Sequence, residues 1–203
     1  MVRILILEDD ESKSSEWKEA LEQAGHEVVT TPYLETFLNA IGIAVTGVTG
    51  KHYDPKYSAT EPTEKPFAIA LVDNGVKMSK SAPNQSTSYA EALCHIYFDD
   101  RLKTKLPEMV AVSGEGRRVF INELIRTLDW PKRGDPDHDT RYDKALENAE
   151  IIRKTLINRF VSTPDDRKPT AKELVTAVKR TVDGLAKENF PKLGEKDGGR
   201  QQG

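Results

Sequence analysis

With one cysteine in 203 residues, Cys94, the chain cannot close an internal disulfide, so no disulfide framework stands in for a core. No apolar run approaches the roughly 20 residues that a membrane-spanning helix needs. The opening stretch from Val2 to Leu7 is too short for a secretory signal and runs directly into acid. Charge of one sign is missing too. Lys and Arg number 30 against 33 Asp and Glu, a net charge of −3, which gives no field to hold a nucleic-acid backbone. The basic surplus after Arg167 is mild and spread over a helix and a tail. His26, His52, His95 and His138 are scattered, with no spacing that suits zinc. What remains is a cytoplasmic, water-soluble protein for which neither nucleic acid nor membrane is an expected partner.

What is present is a chain of 37% hydrophobic and 31% charged residues, enough for one α/β core with polar loops. Val2 to Leu7 is an unbroken apolar run, as expected of a strand buried on both faces of a parallel sheet. Trp17, Ala20, Leu21 and Ala24 share one face of a helix over Ser12 to Ala24, which Gly25 ends. His26 to Thr31 reads as a second strand and Leu34 to Val45 as a second helix. From Thr46 to Pro66 the periodicity is lost among Gly47, Gly50, Pro55, Pro62 and Pro66, which predicts a long inserted loop.

Phe67 to Val72 is the third strand, followed by a polar loop from Asn74 to Thr87 and a helix from Ser88 to Leu106. Met109 to Val112 is the fourth strand. A helix from Gly116 to Trp130, a hydrophilic linker from Lys132 to Asp143 and a helix from Lys144 to Asn158 come next. Phe160-Val161 is a minimal fifth strand. The last helix opens on Pro169 and a capping box, Thr170 to Glu173, and carries the stripe Leu174, Val178, Val182 and Leu185. A single domain over 1–186 is expected, with insertions at about 46–66 and 131–158 and a frayed tail over 187–203.

Alternating strands and helices predict an α/β class with a parallel sheet, whose ligands bind beyond the carboxyl ends of the strands. The residues there are Glu8 and Asp9 after strand 1, Asp73 after strand 3, Ser113 after strand 4 and Thr163 after strand 5. Carboxylates at adjacent strand ends repel unless a cation sits between them, and hard oxygen donors with open positions suit Mg²⁺ shared with a phosphate. A carboxylate beside that ion can attack phosphorus and become an aspartyl phosphate. Asp10 and Glu11 read instead as an acidic helix start.

Other patterns lead nowhere. Asp135 to Asp139 spaces its acids like a calcium loop, but Thr140 and Leu146 stand where that loop needs glycine and glutamate. Gly47 to Lys51 lacks the first glycine of a phosphate loop, and Ala111 to Glu115 lacks the glycines of a nucleophile elbow. Cys94 reads as a small core residue.

The strand-end residues resemble the response-regulator receiver domains of two-component signalling. Ile4 to Asp10 is similar to the family's first strand and acidic pair, and Ala68 to Asp73 to its third strand and phosphoacceptor. Val110 to Gly114 looks like strand 4 with its hydroxyl switch, and Phe160 to Pro164 like strand 5 with an aromatic switch. The resemblance implies a flavodoxin-like receiver fold, a doubly wound five-stranded parallel sheet with an enlarged strand 4 to strand 5 region. It implies Mg²⁺ held by Asp9, Asp73 and the backbone carbonyl of Gly75, with Glu8 acting through water. Asp73 would accept phosphate from a histidine kinase or phosphotransfer protein in a phosphorelay. Ser113 would be the switch hydroxyl and Phe160 the aromatic switch. An output protein of unknown identity would read the change, and catalysis would be confined to self-phosphorylation and dephosphorylation of Asp73.

The chain also departs from the pattern. Family members carry Lys-Pro after strand 5, where this chain has Thr163-Pro164, with Lys168-Pro169 five residues on; either Thr163 or Lys168 could hold the lysine position. The short turn after the phosphoacceptor, which usually ends in proline, is replaced by Asn74 to Met78. Two alternatives therefore stand beside a stand-alone receiver: a pseudo-receiver scaffold that binds a partner without phosphate, and a metal-dependent phosphohydrolase. The phosphohydrolase is disfavoured because Gly75 occupies the place where such enzymes carry a general acid.

Overall fold

The computed structural model describes residues 1–49, 52–112, 116–129, 137–157, 159–161 and 167–189. Five strands form the central sheet: β1 (Arg3–Leu7), β2 (Glu27–Thr31), β5 (Ile69–Val72), β8 (Glu108–Val112) and β9 (Arg159–Val161). Their order is β2-β1-β5-β8-β9, and every pairing is parallel. This is the doubly wound order with its reversal at β1, the place where open sheets bind ligands.

The sheet separates two cores because side chains alternate across it. Ile4, Ile6, Ile69, Leu71, Val110 and Val112 face one side, against Trp17 and Leu21 of α1 (Glu11–Gln23) and Leu174 and Val178 of α7 (Ala171–Asn189). Leu5, Leu7, Ala70, Val72, Met109 and Ala111 face the other. There they meet α2 (Leu34–Ala40), α3 (Tyr89–Tyr97), α5 (Gly116–Asp129) and α6 (His138–Leu156). No helix among the described residues is long and apolar enough to cross a membrane.

The expected loop over Thr46 to Pro66 is instead mostly an antiparallel hairpin, β3 (Ile43–Thr49) with β4 (His52–Ala59). The residues that read as breakers have local jobs. Gly47, at φ +79°, sits where the register shifts, and a Cβ there would meet the Asp54 carbonyl. Pro55 lies in β4, which among the described residues pairs with β3 alone and so tolerates a residue with no N–H to donate. The second helix stops at Ala40 rather than Val45 because the chain turns at Gly42, φ +85°, where Thr60 N–H closes the hairpin base on the Gly42 carbonyl at 2.9 Å.

The expected polar loop over Asn74 to Thr87 is a second hairpin, β6 (Gly75–Ser79) with β7 (Ala82–Ser88). Val76 and Met78 point into the core, and Lys77 bridges to Tyr33 on the other edge of β6. The helix expected over Ser88 to Leu106 breaks in two. Asp99 accepts from Arg101 N–H and starts the short α4 (Asp100–Lys103), leaving Phe98 exposed. The last helix before β9 begins at His138, earlier than Lys144, its polar first turn tied by a stacked His138–Tyr142 pair. α7 runs on to Asn189, and 190–203 of the expected tail lie outside the described residues.

Candidate functional site

Adjacent parallel strands bring the acids together. The ladder continues past β1 and β5, with Glu8 N–H on the Thr31 carbonyl at 3.1 Å and Asp73 N–H on the Leu7 carbonyl at 2.9 Å. Glu8, Asp9 and Asp73 therefore emerge side by side, each with a carboxylate oxygen within 4.8 Å of the others. Glu8 is 1% exposed and Asp73 6%, so neither carboxylate is fully solvated. Asp10 stands apart as the N-cap of α1, accepting from Ser12 and Lys13 N–H.

Lys168 reaches this pocket from the segment before α7. Its Nζ lies 2.6 Å from Glu8 Oε1 and 3.1 Å from Asp73 Oδ2. The loop that delivers it is anchored on both sides. Trp17 Nε1 donates to the Pro169 carbonyl at 3.1 Å, and Arg167 pairs with Glu173 of the capping box at 3.0 Å. Of the two positions the sequence offers for the lysine, Lys168 is in contact with the acids, while Thr163 lies outside the described residues.

Three carboxylates face one ammonium, so negative charge remains in excess in a poorly solvated place. Burial pushes the Glu8 carboxyl above the ordinary range; hydrogen bonds from Lys168 and Asp10 N–H pull it back, and the Asp73 charge pushes it up again. Burial likewise raises Asp73, opposed by Lys168 and by Asn74 N–H, with Asp9 adding to the rise. Burial alone would lower Lys168, but its bonds and charge contacts with Glu8 and Asp73 raise it overall, so the ammonium keeps its proton.

Glu8 Oε1 accepts from Asp10 N–H and Lys168, whereas the buried Oε2 has no hydrogen-bond partner. An orphaned carboxylate oxygen beside two further carboxylates is a donor set that fits a hard divalent cation. Gly75 follows in β6, opposite Ser88. The Asn74 carbonyl accepts from Tyr89 N–H at 2.8 Å, so Asn74 and Tyr89 face each other across the ladder. By the alternation of an antiparallel pair, the Gly75 carbonyl turns to the opposite edge of β6, away from β7.

The other expected site residues are less fully described. Phe160 lies in β9 opposite Ala111, its side chain outside the described part, and Ser113 lies outside the described residues. Two buried polar residues to which the sequence assigns no role at the site are Asn74, next to Asp73, and Ser88, which bonds to Asn74. The signal for Ser88 was present, a serine directly before a helical run. Asn74 carries no such local mark.

No family model matches the chain, and no curated protein matches it. Its structure is similar to that of a response regulator receiver domain protein (CheY-like) from Methanospirillum hungatei JF-1. The identity is 16% over 93% of this chain and 98% of that one, with a TM-score of 0.50. A receiver domain protein from Clostridium thermocellum matches at 16% identity over 92% and 98%, with a TM-score of 0.45. A response regulator protein from Burkholderia pseudomallei, solved with a phosphorylated aspartic acid, calcium ion and citrate, matches at 12% over 93% and 73%, with a TM-score of 0.47. The fold is that of a response-regulator receiver domain.

Proposed function

We propose that the chain works as a receiver, taking a phosphoryl group onto Asp73 from a histidine kinase or phosphotransfer protein in the cytoplasm and passing the change on by protein–protein contact. The observation that carries this reading is the Lys168 ammonium set between Glu8 and Asp73, at the carboxyl ends of β1 and β5. A merely acidic turn has no need of a half-buried cation delivered from the other end of the chain.

In this reading Asp9, Asp73 and the Gly75 carbonyl would hold Mg²⁺, with Glu8 acting through water. When bound, the ion supplies neutralisation for phosphoryl oxygens. Asp73 is the nucleophile: one of its oxygens bonds to phosphorus as the donor's bond to phosphorus breaks, and the leaving group departs with the electron pair. Lys168 stands beside Asp73 Oδ2 and holds the position of a charge-assisted partner for the new phosphoryl group. Ser113 is assigned the switch hydroxyl and Phe160 the aromatic that responds. The phosphoryl group carries about −1.5 to −2 charges in place of the carboxylate's single one, a net gain of about −0.5 to −1, on a pocket that already holds more acid than base.

The pseudo-receiver is the competing reading, favoured by the β6–β7 hairpin that stands where receivers carry a short turn after the phosphoacceptor. Intact mass after incubation with acetyl phosphate, with and without Mg²⁺, separates the two. A Mg²⁺-dependent gain of one phosphoryl group, absent in Asp73→Ala, is the expected result. No gain in the wild type would leave the scaffold as the working account.

A further inference from the structure

The peptide that follows Asp73 is held from the far end of the β6–β7 hairpin. Asn74 Oδ1 accepts from Ser88 Oγ at 2.7 Å and from Ala90 N–H at 3.3 Å. The Asn74 main-chain carbonyl accepts from Tyr89 N–H at 2.8 Å. A backbone N–H can only donate, so the bond from Ala90 settles which end of the Asn74 amide is oxygen. Both residues are buried, Asn74 at 5% and Ser88 at 9% exposure. The hairpin thus leaves and re-enters the core through one hydrogen-bonded pair.

That pair lies one residue from the nucleophile. Asn74 N–H donates to Asp73 Oδ1 at 2.8 Å, while Asp73 Oδ2 faces Lys168. The carboxylate is therefore held at one oxygen by the N–H of Asn74, a residue whose side-chain and main-chain oxygens are both fixed by Ser88, Tyr89 and Ala90, and is left with the other oxygen toward the lysine. A serine at a helix start needs only to accept from the backbone, as Ser88 does from Ala90. Here its hydroxyl proton is also spent, on Asn74.

We infer that Asn74 and Ser88 are positioning residues for Asp73, clamping the root of the β6–β7 hairpin so that the carboxylate is set for attack on phosphorus. The inference rests on the proposed reading that Asp73 accepts phosphate. It makes the hairpin part of the reacting assembly, because loosening either end frees the peptide that orients the nucleophile. Displacements of about 1 Å in such supports cost up to about a hundredfold in rate.

The test is the rate of phosphorylation by acetyl phosphate at saturating Mg²⁺, followed by intact mass. It compares wild type, Asn74→Ala, Ser88→Ala, Ser88→Gly, Ser88→Thr and the double alanine variant, with Tm measured in parallel. Ser88→Gly deletes the hydroxyl while keeping a residue accepted at a helix start, so it reports on the clamp even if Ser88→Ala folds poorly. The expected result is a fall of about tenfold or more for Asn74→Ala and Ser88→Gly, restored by Ser88→Thr, with the double variant no slower than Asn74→Ala. A Tm loss with unchanged rates in the folded variants would show a structural role only and overturn the inference while leaving the receiver reading intact. A wild type that gains no phosphoryl group overturns the receiver reading, and the inference with it.

Discussion

Trp17 and Pro169 are joined by a buried hydrogen bond, indole Nε1 to main-chain carbonyl at 3.1 Å, between residues 152 positions apart. The bond ties α1 to the segment that delivers Lys168. Trp17→Phe keeps an aromatic ring in the core but leaves the Pro169 carbonyl unpaired, which costs about 1–3 kcal/mol, besides the smaller ring's lost packing. A lower denaturant midpoint is expected. An unchanged midpoint would show that the bond anchors nothing.

Lys168→Met removes the cation from between Glu8 and Asp73. Breaking a buried ion pair by deleting one partner costs about 3–5 kcal/mol, and the partial exposure of Lys168 places this case at the lower end. Glu8 and Asp73 already have raised pKa values through burial. A carboxyl raised in the folded state favours folding while it is protonated, and that benefit is lost as pH rises through its folded value. The variant's deficit is therefore smallest in mild acid and full at neutral pH. Adding Mg²⁺ is expected to recover part of it. Parallel wild-type and variant stability curves across pH would refute this account.

Glu173 behaves in the opposite sense. The Arg167 guanidinium, with the N–H and hydroxyl of Thr170, holds its carboxyl down at about 2, well below 4.5. Its contribution is fully present above the ordinary value and is lost as pH falls from about 4.5 through about 2. Glu173→Gln should be less stable than wild type at neutral pH, the two converging in strong acid. Thermal midpoints across that range decide it, and a constant gap between them would count against the assignment.

At Gly47, an added Cβ would collide with the Asp54 carbonyl oxygen, on a backbone at φ +79°. Gly47→Ala is expected to cost about 1–3 kcal/mol, confined to the β3–β4 hairpin. Native-state hydrogen exchange should show lost protection in that hairpin and unchanged protection in β1 and β5. Uniform loss across both would mean that the hairpin does not open on its own.

Where chemistry and burial coincide locally, the sequence was readable. β1, β5 and β8 are covered on both faces and appear as unbroken apolar runs, and the acids at the ends of β1 and β5 follow from that placement alone. The hairpins were not readable, for two different reasons. Gly47 and Pro55 look like breakers to any local rule, because a bulge and an edge strand use the same residues that loops use. The β6–β7 hairpin is polar in sequence, its second strand, Ala82–Ser88, having alanine and proline as its sole apolar residues, so no alternation marks it as a strand. Lys168 lay between these cases. Its neighbours Pro169, Thr170 and Glu173 announce a helix start, but it takes long-range bonds, that from Trp17 among them, to show where the segment before that helix is held.

The hydrogen bond between Thr60 N–H and the Gly42 carbonyl has an architectural consequence. The chain leaves for the β3–β4 hairpin and comes back at the same point. The outer part of the hairpin can therefore lengthen, shorten or change its surface while its base stays packed, with Ile43 buried in the core and the Tyr57 ring against His95. Arg3 secures the return path, through Glu64 at 2.9 Å and the Lys65 carbonyl, before the chain enters β5. The parallel sheet is in this respect a chassis with a socket at that point, where new surface can be plugged in and tried while the acidic pocket keeps its shape.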